Sequence, residues 1–360
     1  MECTDLRSYL KHPNAWNRLQ QVYGAGDTGA TKIAETLSDP TSQLEYLDLS
    51  INEITDVGVQ AIAVSLKHNR RLHTLRLWRN NIGPLGAKAL ADHLQSNDKL
   101  SSLDLWSNNI GDEGAGYLSR ARLPHITSID LSANSITMAG IWEIVQGLRH
   151  NPIKELRISS NGIGDEGTRI VAEGLHGNAT VTLLTLSVSN IGDAGAIALA
   201  TMLERNSTLT SLSLHVNRIG DAGAIALGKA LEKNRTLTYL DLSVNNIGNE
   251  GYASLRRFPI NINTNANPRI ERGGIVDELY GIYNDAYNTL GTTYNEKCNV
   301  IRYAWIVMGW TVLNILNLIS SVSKKDPTEV ARLLLRHPWM TSSADNKTHR
   351  HKIMGPSEKR

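Results

Sequence analysis

Cysteine is almost missing from this chain. Cys3 and Cys298 are the two in 360 residues, too few for a disulfide framework or a four-cysteine zinc site. Charge of one sign is missing as well. Against 37 basic residues stand 35 acidic ones, a net charge of +2, which gives no case for nucleic acid as the main partner. Phe258 is the single phenylalanine, so a core of this size must be built from other apolar residues. The opening stretch "MECTDLRSYLKHPNAW" lacks the apolar core of a secretory signal. These absences lead us to expect a reducing, intracellular compartment and a cytoplasmic protein.

What is present is leucine and isoleucine at fixed spacing. Aligned on L-x-x-L-x-L-x-x-N-x-I, the chain holds eight units starting at Leu44, Leu72, Leu100, Ile126, Ile153, Val181, Leu209 and Leu237, with steps of 28, 28, 26, 27, 28, 28 and 28 residues. A fixed period of this length points to a repeat architecture. In each unit the alternating L-x-L portion, such as "YLDLS", predicts a short strand with its leucines on one face. An asparagine follows: Asn52, Asn80, Asn108, Asn134, Asn161, Asn217 and Asn245. An amide has both donor and acceptor and can bridge one coil to the next. The sixth unit has Ser189 there, which predicts a weak point in that ladder. Then come "IGDEG" or "IGDAG" and an Ala/Leu-rich run, in which Asp193 or Asp221 suits a helix N-cap or first turn and small residues suit close helix packing.

This pattern resembles the leucine-rich repeat family, in the longer class shared by ribonuclease inhibitor, NOD-like receptors and the Ran GTPase-activating protein. The resemblance covers roughly residues 20–260. It implies an α/β solenoid, a horseshoe with parallel strands on the concave side and helices on the convex side. We divide the chain into an N-terminal helical cap with a degenerate repeat (1–43), eight repeats (44–258), a cap or linker (259–273), a helical C-terminal segment (274–340) and a basic tail (341–360).

Several motifs dissolve once the repeat is seen. "GAGDTG", 24–29, matches the G-x-G-x-x-G dinucleotide fingerprint, with Asp48 at about the right distance. However, "GDTGATKIAETL" aligns with "GDAGAIALATML" of the sixth repeat, so we read a degenerate first repeat whose strand is missing. Asn178-Ala-Thr180, Asn206-Ser-Thr208 and Asn234-Arg-Thr236 match the glycosylation sequon, yet all sit at the helix exit, where asparagine favours termination. The repeats show no H-x-x-x-H or paired Cys/His spacing, and His215 reads as a lone surface residue. No nucleophile–base set stands above scattered Ser, His and Asp. We therefore expect no catalytic residues, no metal and no cofactor.

Function is sought on the strand face that points away from the core. In the repeat frame the third, fifth, seventh and eighth positions lie there. The fifth row reads Asp48, Arg76, Asp104, Asp130, Arg157, Thr185, Ser213 and Asp241; the seventh reads Ser50, Trp78, Trp106, Ser132, Ser159, Ser187, His215 and Ser243. Trp78 and Trp106 are neighbours where other units carry a hydroxyl or His215. With Arg76, Arg79, Asp104 and Ser107 around them, they have the make-up of a binding hot spot. The competing reading is a structural stack of the two indoles on each other and on Arg79. Partner-binding candidates are Trp78, Trp106, Arg76, Arg79, Asp104, Tyr46 and Asp48, with lateral pairing of Asp48, Arg76 and Asp104 at the rim. Tyr239 and Asp241 form a secondary candidate contact.

Beyond Phe258 the repeat gives way to "PININTNANPRIERGG" and then to a helical, tyrosine-rich stretch. Residues 303–323 carry no charge and are long enough to span a bilayer. A polar stripe of Asn314, Asn317 and Ser321 weighs against insertion and favours a buried helix of a small bundle, with membrane contact through 303–323 kept as the other reading. "DPTEVARLLLRHP", 326–338, reads as a short helix with Asp326 as N-cap, and the tail from Thr341 as solvated.

The expected function is an intracellular scaffold that binds another protein on the concave face, with no chemistry of its own. Near-uniform "NNIGDEGA" repeats also resemble those of effectors that intracellular bacterial pathogens deliver into host cytoplasm. The alternative is a GTPase activator similar to the Ran-specific one, with Arg79 in "RNNIGP" as the residue to test. Against it, the chain lacks the acidic tract that follows the repeats in that family. The partner's identity and the oligomeric state stay open.

Overall fold

The computed structural model describes Arg18–Leu19, residues 25–264 and Asn267. Readings that fall elsewhere, including 303–323, the helix at 326–338 and the basic tail, lie outside the described residues. No helix among the described residues is long and apolar enough to cross a membrane.

Ten strands form one sheet in strict chain order, all parallel: β1 (Arg18–Leu19), β2 (Tyr46–Asp48), β3 (Thr74–Arg76), β4 (Ser102–Asp104), β5 (Ser128–Asp130), β6 (Glu155–Arg157), β7 (Leu183–Thr185), β8 (Ser211–Ser213), β9 (Tyr239–Asp241) and β10 (Asn261–Asn263). Between them run α1 (Gly26–Ser38), α2 (Asp56–Leu66), α3 (Pro84–Leu94), α4 (Gly111–Arg120), α5 (Met138–Gly147), α6 (Gly164–Leu175), α7 (Asp193–Leu203), α8 (Asp221–Lys233) and α9 (Asn249–Leu255). The first, fourth, sixth and eleventh positions of each unit fill the space between sheet and helices. Leu72, Leu75, Leu77 and Ile82 of the second unit, for example, are fully buried. Strands repeat at about 4.8 Å while packed helices need about 8–10 Å, so the stack must fan open on the helix side. The strands therefore line the inner, concave face.

At both ends the sheet exceeds the sequence reading. Arg18 and Leu19 pair in parallel with Tyr46 and Leu47, so the N-terminal unit does have a strand. It was hidden because Gln21 and Gly24 stand where the frame asks for an apolar residue and asparagine. At the other end, Asn261–Asn263 of the segment read as cap or linker pairs with β9. Asn267 then takes the asparagine place, accepting from the amides of Asn245 and Ile247, both at 3.1 Å.

Three ladders of side chains tie each coil to the next. In the turn, Asn80 Oδ1 accepts from the amides of Asn52 and Ile54, each at 3.0 Å, while Nδ2 donates to the Leu49 and Leu77 carbonyls at 3.0 and 2.9 Å. Ser189 breaks this ladder as its residue type foretold. Its hydroxyl donates to the Ser187 carbonyl of its own unit, 3.0 Å away, and among the described residues its side chain makes no bond to the preceding unit. The second ladder runs along the helix exits. Asn206 Nδ2 donates to Leu175 at 2.7 Å and Asn178 at 3.2 Å, and its Oδ1 accepts from Thr208 and Leu209. The sequon asparagines at 206 and 234 are thus buried structural links.

The third ladder extends the reading of the aspartates, which stand in the first turn of their helices as expected but cap the helix one unit ahead. Asp193 opens α7, yet its Oδ1 accepts from Gly220 at 2.7 Å and Gly223 at 2.9 Å, at the start of the next helix. Asp27, Asp56, Asp112, Asp165 and Asp221 do the same one unit ahead. Asp27, in the apparent dinucleotide fingerprint, spends both carboxylate oxygens on Thr55 and Gly58 this way. At Gly223 a Cβ would lie 2.8 Å from both Asp193 Oδ1 and Ala196 Cβ, so the absence of a side chain admits the cap.

Pro84 and Met138 hold the aspartate place in two units, and the consequence appears one unit later. The following helices start at Gly111 and Gly164 with φ of 60° and 61°. Lacking an acceptor behind them, these amides turn forward to the carbonyls of Asn134 at 3.0 Å and Ser189 at 2.9 Å. That turn requires the left-handed backbone that glycine adopts without a Cβ penalty.

Candidate interaction surface

The cross-strand register sets the site. Asp48, Arg76, Asp104, Asp130 and Arg157 stand opposite one another on adjacent strands. Two residues on, and so on the same face, come Ser50, Trp78, Trp106, Ser132 and Ser159. The Trp78 and Trp106 ring centroids are 5.7 Å apart at an interplanar angle of 39°, within the range of favourable aromatic pairs. Both are half-buried, as their neighbour position in the sheet requires.

Arg79 adopts a left-handed backbone, φ 54°, with its N–H on the Trp106 carbonyl at 2.8 Å. The same conformation recurs at this place in all eight units, even at the β-branched Ile51, Val188, Val216 and Val244. Each such residue costs roughly 1–2 kcal/mol, so the turn is imposed by the stack and its inter-coil bonds. It is not a local property of arginine.

Arg76 does not pair with its acidic neighbours as expected. Its guanidinium lies over the Tyr46 ring, 5.4 Å from the centroid, and among the described residues it makes no ion pair. Asp48 is buried and accepts from the Ser50 amide at 3.1 Å and hydroxyl at 2.6 Å. Asp130 takes the amide of Ser132 at 2.9 Å. Asp241 takes both donors of Ser243, at 2.9 and 2.5 Å. Among the described residues Asp104 accepts from the Trp106 amide alone, at 3.1 Å, because tryptophan brings no hydroxyl.

The electrostatics follow from this. Burial, then the charge of Asp130, push the Asp104 carboxyl up to about 7; the Trp106 amide and Arg76 pull it down, and Asp48 adds to the rise. Asp130 is raised as well, chiefly by burial, against the opposing effect of Ser132 and Arg157. Arg157 itself is engaged by Glu155 at 2.9 Å.

Further along, seventh-row hydroxyls pair with fifth-row ones of the next unit. Ser159 donates to Thr185 and Ser187 meets Ser213, both at 3.0 Å. His215 is not the lone surface residue its position suggested. It is half-buried, with Nδ1 2.7 Å from Ser243 Oγ, and burial lowers its pKa. Because Ser243 donates to Asp241, the serine bridges the other two; in a hydrolase triad the histidine would do so. Tyr239 closes this group on Asp241 at 3.3 Å. Among the described residues, no three His, Cys, Asp or Glu side chains gather as a metal-binding group. On the helix side, Met138 and Trp142 of α5 stay 47% and 53% exposed, a pair that the repeat frame gave no reason to single out.

Seven stretches, 43–63, 68–91, 96–119, 149–168, 177–200, 205–228 and 233–255, match a family model described as Leucine Rich repeat. The array is a leucine-rich repeat solenoid. The model passes over 120–148, which begins at the end of the shortest repeat, the one from Leu100, and holds Met138 in place of the capping aspartate. No curated protein matches the chain. Among solved structures, the yeast Rad7 and Elc1 complex is similar at 16% identity and a TM-score of 0.50, covering 75% of this chain and 68% of that one. Actin-binding site 2 of leiomodin-1 is similar at 22% identity and a TM-score of 0.28, covering 47% of this chain and 92% of that one. The likeness to the Rad7 and Elc1 structure is one of fold.

Proposed function

We propose that this leucine-rich repeat protein is an interaction scaffold that takes a partner protein on its concave strand face, centred on Trp78 and Trp106. One observation carries the reading: two indoles in tilted contact replace hydroxyls at adjacent places of a row whose other members are hydroxyls or one imidazole. Part of their aromatic surface stays exposed on the strand face, where such surface suits a binding site. Aromatic residues beside charged groups are also the side chains that dominate binding energy at interfaces. Tyr46 and Arg76 extend the patch toward the N-terminal side, and Asp48 and Asp104 border it.

The test is quantitative affinity capture with the full chain and its Trp78→Ala/Trp106→Ala variant, after circular dichroism and thermal melting show that the variant folds. Loss of the captured partner supports the scaffold reading. Capture within about twofold of the wild-type level, well short of the 2 kcal/mol or more expected of hot-spot truncation, would overturn it.

A further inference from the structure

A serine stands two residues after three of the four fifth-row aspartates and donates to them, and Asp104, followed by Trp106, is the exception. Asp48 and Asp241 each receive the amide and hydroxyl of the serine two residues on, and Asp130 receives the Ser132 amide, with the same serine's side chain holding its pKa down. Trp106 brings no such hydroxyl to Asp104, which among the described residues keeps the amide alone. The adjacent cation has also turned away, since Arg76 lies over Tyr46. Asp130 stands in register beside Asp104, and neither forms an ion pair among the described residues. A carboxylate that is half-withdrawn from water, short of donors and next to a second carboxylate is costly when charged.

We propose that Asp104, with Asp130 beside it, receives an arginine side chain of the partner protein, whose guanidinium packs against the Trp78–Trp106 pair. This rests on the reading that the partner docks at the tryptophans, and it names the chemistry that docking requires. Charge complementarity selects a cation. The juxtaposed indoles select a flat one, because a guanidinium stacks on aromatic faces while donating several N–H groups to carboxylates, which a lysine ammonium cannot do with the same geometry. Trp106 then has two effects at once: it strips Asp104 of its internal donor and supplies the surface on which the replacement donor lies.

The Asp104 carboxyl, held up near 7, makes the contact pH-dependent. A cation needs the ionised form, so affinity rises about tenfold between pH 6 and pH 8, as the ionised fraction of a group titrating near 7 does.

The experiment uses the full chain with 15N-labelled tryptophan and the probe peptide acetyl-Gly-Arg-Gly-amide, against its lysine and citrulline counterparts. The indole N–H signals of Trp78 and Trp106 are assigned with single Trp→Phe variants. The arginine peptide is expected to shift both signals at pH 8, with the uncharged citrulline peptide weaker by roughly tenfold, as loss of a charge-assisted contact implies. Asp104→Asn, which keeps an acceptor for the Trp106 amide, is expected to abolish the advantage of arginine. Equal binding of the citrulline peptide, no shift of either signal, or unchanged binding to Asp104→Asn would overturn the proposal. Loss of partner capture on Trp78→Ala/Trp106→Ala without loss on Asp104→Asn leaves the scaffold reading standing and sinks the arginine contact alone.

Discussion

The carboxylate of Asp193 ends 2.7 Å from the amide of Gly220, one repeat downstream of the helix that Asp193 begins. The helix start is thus capped from the previous coil, which turns a local cap into an inter-repeat bond. Asp193→Ala should destabilise the protein by about 1–2 kcal/mol, the usual loss for a capping acceptor. Native-state hydrogen exchange should place the loss at Gly220 and Gly223, in the following helix. Faster exchange confined to α7 would contradict this assignment.

Ser189 interrupts the asparagine ladder between the fifth and sixth repeats. Restoring it with Ser189→Asn should stabilise the chain by about 1 kcal/mol or more, since two amides, of Asn161 and Ile163, regain an acceptor. Urea unfolding checks this; the converse Asn217→Ser should lower the midpoint. A neutral or destabilising Ser189→Asn would mean that the local backbone, with Asn190 at φ 62°, has adapted to serine.

Asp104 also gives the fold a pH dependence. Its carboxyl keeps its proton up to about 7 in the folded chain, whereas an unfolded aspartate releases it near about 3.9. The folded state therefore holds more protons between those values. Its stabilising contribution is full below about pH 4 and is lost as pH rises through about 7. Asp130, shifted the same way, adds to this. Asp104→Asn should be more stable than wild type at pH 8, with a gap that narrows toward pH 5. Thermal melts across that range check it, and a gap independent of pH would contradict it.

How much of this was legible in the sequence depended on whether a residue's role was local. The leucine frame placed β2 to β9 because buried positions recur at fixed spacing whatever lies next door. Asn80 and Ser189 could be read because the turn needs donors and acceptors that only certain side chains have. The roles of Asp193 and Asp27 could not, since their partners lie one coil ahead and a cap looks the same in sequence whichever helix it serves. The strands at Arg18–Leu19 and Asn261–Asn263 escaped because terminal coils bury less and keep fewer leucines. At the site, the rows brought Trp78, Trp106, Asp104 and Arg76 together correctly. What they missed was the turn of Arg76 toward Tyr46 and the dependence of Asp104 on a hydroxyl that Trp106 lacks. Both are side-chain choices made after the backbone is set.

The central claim is that the tryptophan pair is the partner-binding surface, and capture by folded Trp78→Ala/Trp106→Ala protein tests it most directly. The account predicts that proteins enriched on the wild-type chain fall to background on the variant. The same proteins retained within about twofold, against the roughly thirtyfold loss that 2 kcal/mol represents, would show that the two indoles are not the partner-binding surface.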